Sequence, residues 1–346
     1  MSIDLSFWNN KKVVITGHTG FKGAWLSLVL KKLNSELYGF SLNPIKNSVF
    51  DLCDLKSIFC ESYYLDLTDD LNFKKFNKKL EEIQPDIVIH LAAQSLVIES
   101  FKDPRNTLIT NVNLGFNVLE ATNNVESIKN LLITTTDKVY KYPAEKNTED
   151  FQLGGNDFYS STKSSMELIT NSFVKSFKRS DLNIATARAG NVVGGGDKNK
   201  YRLIPDILNS VEKNQDIILR NPSSIRPWQH VLDPITGYLK LIQYLDKNNI
   251  SDSWNFSPDS NNEKTVLEVT ELVTKNFSDY KKNILVEDSA FEESEILRIN
   301  SKKAFEDFGW KCNIKIEESI GLITEWEQGK NNDILNLTIS QIERYI

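Results

Sequence analysis

Two periodicities alternate along the first half of the chain. Short apolar runs rich in β-branched side chains sit at Lys12–Thr16, Glu36–Phe40, Tyr63–Leu65, Asp86–Leu91, Asn130–Thr135 and 184–188. Between them lie longer stretches whose apolar residues recur at helical spacing: Ala24–Leu33, Leu71–Ile83 (halted by Pro85), Pro104–Thr122 and Tyr159–Phe177. Continuous apolar runs fit strands buried on both faces, and strictly alternating strands and helices predict an α/β fold with a doubly wound parallel sheet. Beyond about Asn191 the rhythm changes. Helical and irregular segments follow, with helices expected at Asp233–Leu245 and Val266–Phe277 around a short strand, Trp254–Phe256, and a docked terminal helix over Ile334–Ile346. The pattern predicts a first domain over 1–190 and a smaller α/β domain over 191–346, with a segment near 230–258 returning to the first.

The first run leads directly into Gly17-His-Thr-Gly20-Phe-Lys-Gly23 and then an apolar helix. Strand, glycine turn and helix is the Rossmann-type dinucleotide-binding context: glycine permits the tight turn and lets backbone approach a pyrophosphate at the helix N-terminus. A plain glycine-rich connection is the competing reading. Gly17, Thr19, Gly20, Phe21, Lys22 and Gly23 are the candidate cofactor residues here. The second strand ends in Gly39-Phe40-Ser41, without the acidic residue that binds an adenosine ribose, so the choice between NAD and NADP is weakly determined. At the third strand end, Asp66 and Leu67 are placed to meet the adenine, with Asp66 as a helix cap the alternative. The small residues of Leu91-Ala92-Ala93-Gln94 let backbone lie against a cofactor. His90 reads as a packed strand residue.

The fifth run ends in Thr134-Thr135-Thr136-Asp137-Lys138, which sets a hydroxyl, a carboxylate and an ammonium side by side at a strand end, where open α/β sheets bind their ligands. Tyr159 and Lys163 lie four apart at the start of a helix and so share a face. A cation beside a phenol favours the phenolate, so Tyr159 is expected to titrate below free tyrosine. On an ordinary amphipathic helix the same pair would mean nothing. Arg202 and Arg226 can fork onto a diphosphate, whereas Arg220 reads as surface charge pairing.

A net charge of −6 argues against a phosphate-backbone partner, so no nucleic acid is expected. The amino terminus lacks a signal pattern, and no apolar run reaches the roughly 18 residues of a spanning helix. Three scattered cysteines read as reduced thiols in a cytoplasm. Three dispersed histidines leave no metal-ligand cluster, so no metal is expected.

Taken together, the glycine turn, Leu91–Gln94, Thr136-Asp137-Lys138 and Tyr159-x-x-x-Lys163 resemble the extended short-chain dehydrogenase/reductases. GHTGFKG, ARAGNVVGGGD, RLIPDI and IRPWQHVLDP narrow the resemblance to sugar-nucleotide 4,6-dehydratases, most closely the branch acting on CDP-D-glucose. The resemblance implies tightly held NAD, a nucleoside-diphosphate sugar substrate and deoxysugar biosynthesis. It implies catalytic roles for Thr136, Asp137, Lys138, Tyr159 and Lys163, with Asp137 the acid and Lys138 the base in amine form. Thr134 joins the cofactor residues. Ser95, Asn191, Arg202, Leu203, Arg226 and His230 are assigned to the substrate. The chain departs from the pattern at Ser95, where proline is expected, and in a loop between Tyr140 and Gly154 that reads as short. Relatives pair two long helices into a four-helix bundle. Leu108, Val112, Phe116 and Leu119, with Met166, Ile169, Phe173 and Phe177, supply apolar residues on more than one face of the corresponding helices here. A homodimer is expected, with a tetramer as the larger alternative. Two other readings compete: an NAD-dependent sugar-nucleotide 4-epimerase, and a non-catalytic dinucleotide-sensing regulator.

Overall fold

Residues 3–141, 146–259, 262–287 and 298–346 are described by a computed structural model. Its central sheet has seven strands, all parallel: β1 (Lys12–Thr16), β2 (Glu36–Ser41), β3 (Glu61–Tyr64), β4 (Ile87–His90), β5 (Asn130–Thr134), β6 (Asn183–Ala189) and β7 (Asp252–Phe256). Their spatial order is β7-β6-β5-β4-β1-β2-β3, so chain direction across the sheet reverses between β1 and β4. That switch point opens a crevice at the carboxyl ends of the strands. Strand pleating sends alternate side chains to opposite faces. Val13, Ile15, Ile87, Ile89 and Leu132 join a core with Trp25, Trp254 and Trp326 on one face. Val14, Val88, Leu131 and Ile133 join Phe76, Val118 and Phe173 on the other. The expected doubly wound sheet is therefore present, and the Trp254–Phe256 segment is its edge strand.

Four helices matter to the site: α1 (Phe21–Lys32), α2 (Leu114–Asn123), α3 (Phe158–Ser176) and α4 (Leu203–Glu212). The single helix expected over Pro104–Thr122 is instead Pro104–Leu108, a π-helical turn at Ile109–Asn113, and α2. The wider turn directs Asn111 inward, where it accepts a hydrogen bond from the Gln94 amide (2.9 Å) and donates to the Gln94 carbonyl (3.0 Å). Asp157 caps α3 by accepting from the Ser160 amide at 2.9 Å. The segments after Asn191 build their own cluster from Ile204, Ile207, Leu219, Trp228, Val269 and Ile320.

Gly17 has φ +77° and donates its N–H to the Phe40 carbonyl at 2.7 Å. A Cβ there would lie 2.7 Å from the Ala92 nitrogen, so both conformation and space demand glycine. Gly17→Ala is expected to cost about 1–2 kcal/mol from the left-handed backbone alone, and more from the overlap. A scanning-calorimetry Tm several degrees lower, with nicotinamide cofactor lost on gel filtration, is the expected outcome. An unchanged Tm would show that the turn relaxes freely.

Candidate active site

A cavity of about 790 Å³ occupies the switch-point crevice, between the strand ends and the segments after Asn191. The glycine turn and its flank bring Gly17, Thr19, Gly20, Phe21, Lys22 and Gly23 to its wall. The third strand end brings Asp66 and Leu67, and the fourth Leu91, Ala92, Ala93, Gln94 and Ser95. Thr134, Thr136, Asp137 and Lys138 come from the fifth strand end, Tyr159 and Lys163 from α3, and Asn191, Arg202, Leu203 and Arg226 from the later segments.

Thr136 opens a short 3-10 turn, Asp137–Val139. Its hydroxyl donates to Asp137 Oδ1 at 3.0 Å and accepts from the Lys138 amide at 3.4 Å. Asp137 is buried, its Oδ2 has no hydrogen-bond partner among the described residues, and a Cβ on Gly190 would come within 2.5 Å of that oxygen. Burial raises the Asp137 carboxyl above the ordinary range against the pull of Lys138, Arg226 and Lys22. An acid that keeps its proton at a reaction centre can give it to a leaving group.

Tyr159 and Lys163 share the cavity, but not with the expected electrostatics. Burial pushes the phenol up to about 12, while a side-chain hydrogen bond with Thr136 pulls the other way. The Lys163 ammonium is turned to the Thr134 carbonyl, 3.2 Å away, and burial lowers it to about 8, with Glu167 opposing. The expectation of an acidic Tyr159 is therefore corrected for the protein alone: the cost of burying a phenolate exceeds the help of the nearest cations.

Lys22 is held down to about 7, first by burial and then by the charges of Arg202 and Lys163. Arg202 donates to Ser95 Oγ at 2.9 Å and pairs with Asp197 at 3.6 Å, bridging the fourth strand end to the later segments. Arg226 is buried and donates to its neighbour's carbonyl, Ile225 O, at 2.9 Å. His230 contradicts its assignment to the substrate. It is fully buried, absent from the cavity wall and edge-on to Trp25, so it is a packing residue. His90, packed against Thr16 at 2.7 Å, is the core residue expected. Asp66 lines the cavity while accepting from the Thr68 amide at 2.9 Å; the cap of the following helix is Asp69 instead. Arg220, read as surface pairing, lies in the cavity wall. Ser41 and Asn111 escaped the sequence reading, because a lone serine or asparagine carries no motif, and Asp197, though it ends ARAGNVVGGGD, was not assigned to the site. Tyr140 and Leu153 close the loop that reads as short; residues 142–145 of that loop lie outside the described residues.

The donor set suits a dinucleotide. Only glycine fits at position 17, the first residues of α1 line the cavity, and Thr19 bonds Ser41 Oγ at 2.7 Å and the Leu42 carbonyl at 2.9 Å, which puts two hydroxyls beside the glycine turn at the end of β2. No group of His, Cys, Asp and Glu among the described residues could hold a metal, and no helix among them is long and apolar enough to cross a membrane.

Residues 14–322 match a family described as GDP-mannose 4,6 dehydratase. A CDP-glucose 4,6-dehydratase of Salmonella typhimurium is 37% identical, with 99% of this chain and 98% of that protein aligned. A UDP-glucose 4-epimerase of Mycoplasma genitalium is 26% identical over 89% of this chain and 94% of that protein. Among solved structures, a UDP-glucuronic acid 4-epimerase of Bacillus cereus, in complex with UDP-glucuronic acid and NAD, superimposes with a TM-score of 0.78 at 20% identity, over 92% of this chain and 99% of that one. At that identity the likeness is one of fold.

Because the folded Asp137 carboxyl titrates above its unfolded counterpart, its contribution to stability is present below the unfolded value and is lost as pH rises through the folded one. Asp137→Asn should therefore gain Tm relative to the parent at pH 8 and lose that gain towards pH 4. Melts across this range check it; a constant difference would mean that Asp137 titrates as a surface carboxylate does.

Proposed function

This chain belongs to the GDP-mannose 4,6 dehydratase family, and on that premise we propose that it is an NAD-dependent sugar-nucleotide 4,6-dehydratase acting on CDP-D-glucose. The product would be CDP-4-keto-6-deoxy-D-glucose plus water. The observation that carries the reading is the meeting, in one cavity, of the Thr136-Asp137-Lys138 turn with Tyr159 and Lys163. The cytidine choice rests on the 37% identical relative.

NAD would be held by the glycine turn, Thr19, Leu91–Gln94, Thr134 and Lys163, and when bound it would supply a hydride acceptor and donor for carbons 4 and 6 and a positive charge that favours the Tyr159 phenolate. Tyr159 receives the proton of the 4-hydroxyl, and Thr136 hydrogen-bonds that oxygen. Lys163 holds the cofactor ribose. Once carbon 4 is a ketone, the carbon 5 proton is acidic; Lys138, as the amine, removes it, and Asp137 protonates the departing 6-hydroxyl. Arg202 and Arg226 hold the diphosphate, while Ser95, Asn191 and Leu203 border the sugar. A 4-epimerase would need the first set of groups but not the acid and base of the turn. In this reading residues 1–190 hold the cofactor and 191–346 the nucleotide sugar, in a cytoplasmic enzyme.

Incubation with CDP-glucose, UDP-glucose, dTDP-glucose and GDP-mannose tests the reaction. The expected result is loss of one water by mass, fastest with CDP-glucose. Inversion at carbon 4 without loss of water would establish the epimerase reading instead. Lys138→Met should still exchange hydride yet release no water. Solvent deuterium entering carbon 5 in that variant at the parent rate would remove Lys138 as the base.

The same reading includes a homodimer through the Pro104–Thr122 stretch, which runs into α2, and through α3 with the residues that follow it to Lys178. Leu108, Phe116, Leu168 and Phe177 point outward, the last 70% exposed, while Leu119, Met166 and Phe173 face the core. An outward apolar set needs a second partner. Light scattering at micromolar concentration should give twice the chain mass, and Leu168→Asp with Phe177→Asp should halve it. A monomeric parent protein would end the assignment.

A further inference from the structure

Beneath the catalytic turn lies a buried ion pair that the mechanism does not use. Glu167 of α3 and Arg188 of β6 approach to 2.8 Å, with side chains 2% and 3% exposed. Such a pair in a sheet core is costly to desolvate, so its partners matter. One Glu167 oxygen accepts from the Thr135 hydroxyl. The other accepts from Thr186 at 2.6 Å as well as from Arg188. Arg188 also donates to the Tyr140 hydroxyl at 2.7 Å and to Ser253 of β7 at 3.0 Å, and Tyr140 donates onward to Asn255 at 2.7 Å.

These contacts bracket the turn. Thr135 stands immediately before Thr136, and Tyr140 immediately after Val139. The residue before it is held by Glu167, the residue after it by Arg188. Ser164 of α3 adds a third tie by donating to the Val139 carbonyl at 2.8 Å. Glu167 is also one helical turn beyond Lys163, which donates to Thr134, the next residue back along the strand. Thr134 and Thr135 are thus gripped by two successive turns of the helix that carries Tyr159.

We propose that the Glu167–Arg188 pair is a positioning device for the reaction proposed above: it sets the Thr136–Lys138 turn at a fixed distance from Tyr159 and Lys163, and it fixes a carboxylate one helical turn from Lys163. The inference rests on the proposed function for its catalytic readout and on the fold alone for its electrostatic one. Lys163 is held near 8, with burial lowering it and Glu167 raising it. The other titratable groups facing it are Tyr159 one turn back on α3, its phenol pushed up to about 12 by burial, Lys22 of α1, and His90 of β4, kept neutral by burial near 3. None supplies a negative charge, so Glu167 is the stabilising partner.

Two variants test this. Thr135→Val removes the tie between turn and carboxylate without changing any charge. It should lower kcat for water loss on the order of tenfold to a hundredfold, leaving KM and retained NAD near the parent values. Thr135→Ser, which restores the hydroxyl, should recover kcat. Glu167→Gln should move the midpoint of Lys163 acetylation, followed by peptide mass against pH, below that of the parent, because the carboxylate that raises Lys163 is gone. Where Glu167→Gln fails to fold, the threonine pair decides. The proposal is overturned if Thr135→Val loses only Tm while its folded fraction turns over as the parent does, or if the acetylation midpoint does not move. If the parent protein removes water from no sugar nucleotide, the proposed function fails, and the midpoint in Glu167→Gln still tests the charge on Lys163.

Discussion

An arginine and a glutamate have been taken out of water at the centre of this fold, and much of the surrounding geometry follows from keeping them satisfied. Arg188 sits in a strand whose residues are all buried, and Glu167 sits on the helix covering it. A pair of this kind adds little net stability compared with apolar residues of the same volume, yet loss of one partner typically costs about 3–5 kcal/mol because the other is left charged and dry. Thr135 and Thr186 donate to Glu167, and Arg188 donates to the Tyr140 hydroxyl, to Ser253 of β7 and to the Glu149 carbonyl, while Arg188 Nε has no partner among the described residues. The pair thus ties the helix, the fifth and sixth strands and the edge strand to one another.

Those ties stand behind a cavity whose electrostatics oppose those of the whole chain. The molecule carries a net charge of −6, but Lys22, Lys138, Lys163, Lys198, Arg202, Arg220 and Arg226 all line the crevice, against Asp66, Asp137, Asp197 and Asp206. Concentrated positive charge in a low-dielectric cleft suits ligands carrying two diphosphates, one from a dinucleotide and one from a sugar nucleotide. The same confinement shifts the groups that do chemistry. Burial raises Asp137 and Tyr159 and lowers Lys22 and Lys163, so each is driven towards its neutral form until a charged ligand arrives.

Local pattern and tertiary context divide cleanly over particular residues. The run Lys12–Thr16 is β1 to the residue, with Val13 and Ile15 buried on one face of the sheet and Val14 on the other. The glycine turn, the Thr136-Asp137-Lys138 strand end and the i, i+4 pair of Tyr159 and Lys163 were legible too. Each is a short-range constraint written in consecutive or one-turn-spaced residues, and the alternating periodicities dictate that they meet at the carboxyl edge of one sheet.

What sequence could not decide was where long-range contacts send a side chain and how much water they remove. His230 stands in a stretch that resembles a substrate motif, yet it packs against Trp25, because the parallel pairing of Gln229–His230 with Val192–Val193 draws it into the core. Asn111 gained its role from a π-helical turn invisible to a helical period. Glu167 looked like one more helix residue until folding set it against a strand 21 positions further on. Tyr159 lines the cavity, but the direction of its titration depends on burial, a property of the assembled molecule. Local chemistry determined which groups this protein brings to its site; only the closure of the sheet and helices around them determined their solvation, and with it their charge.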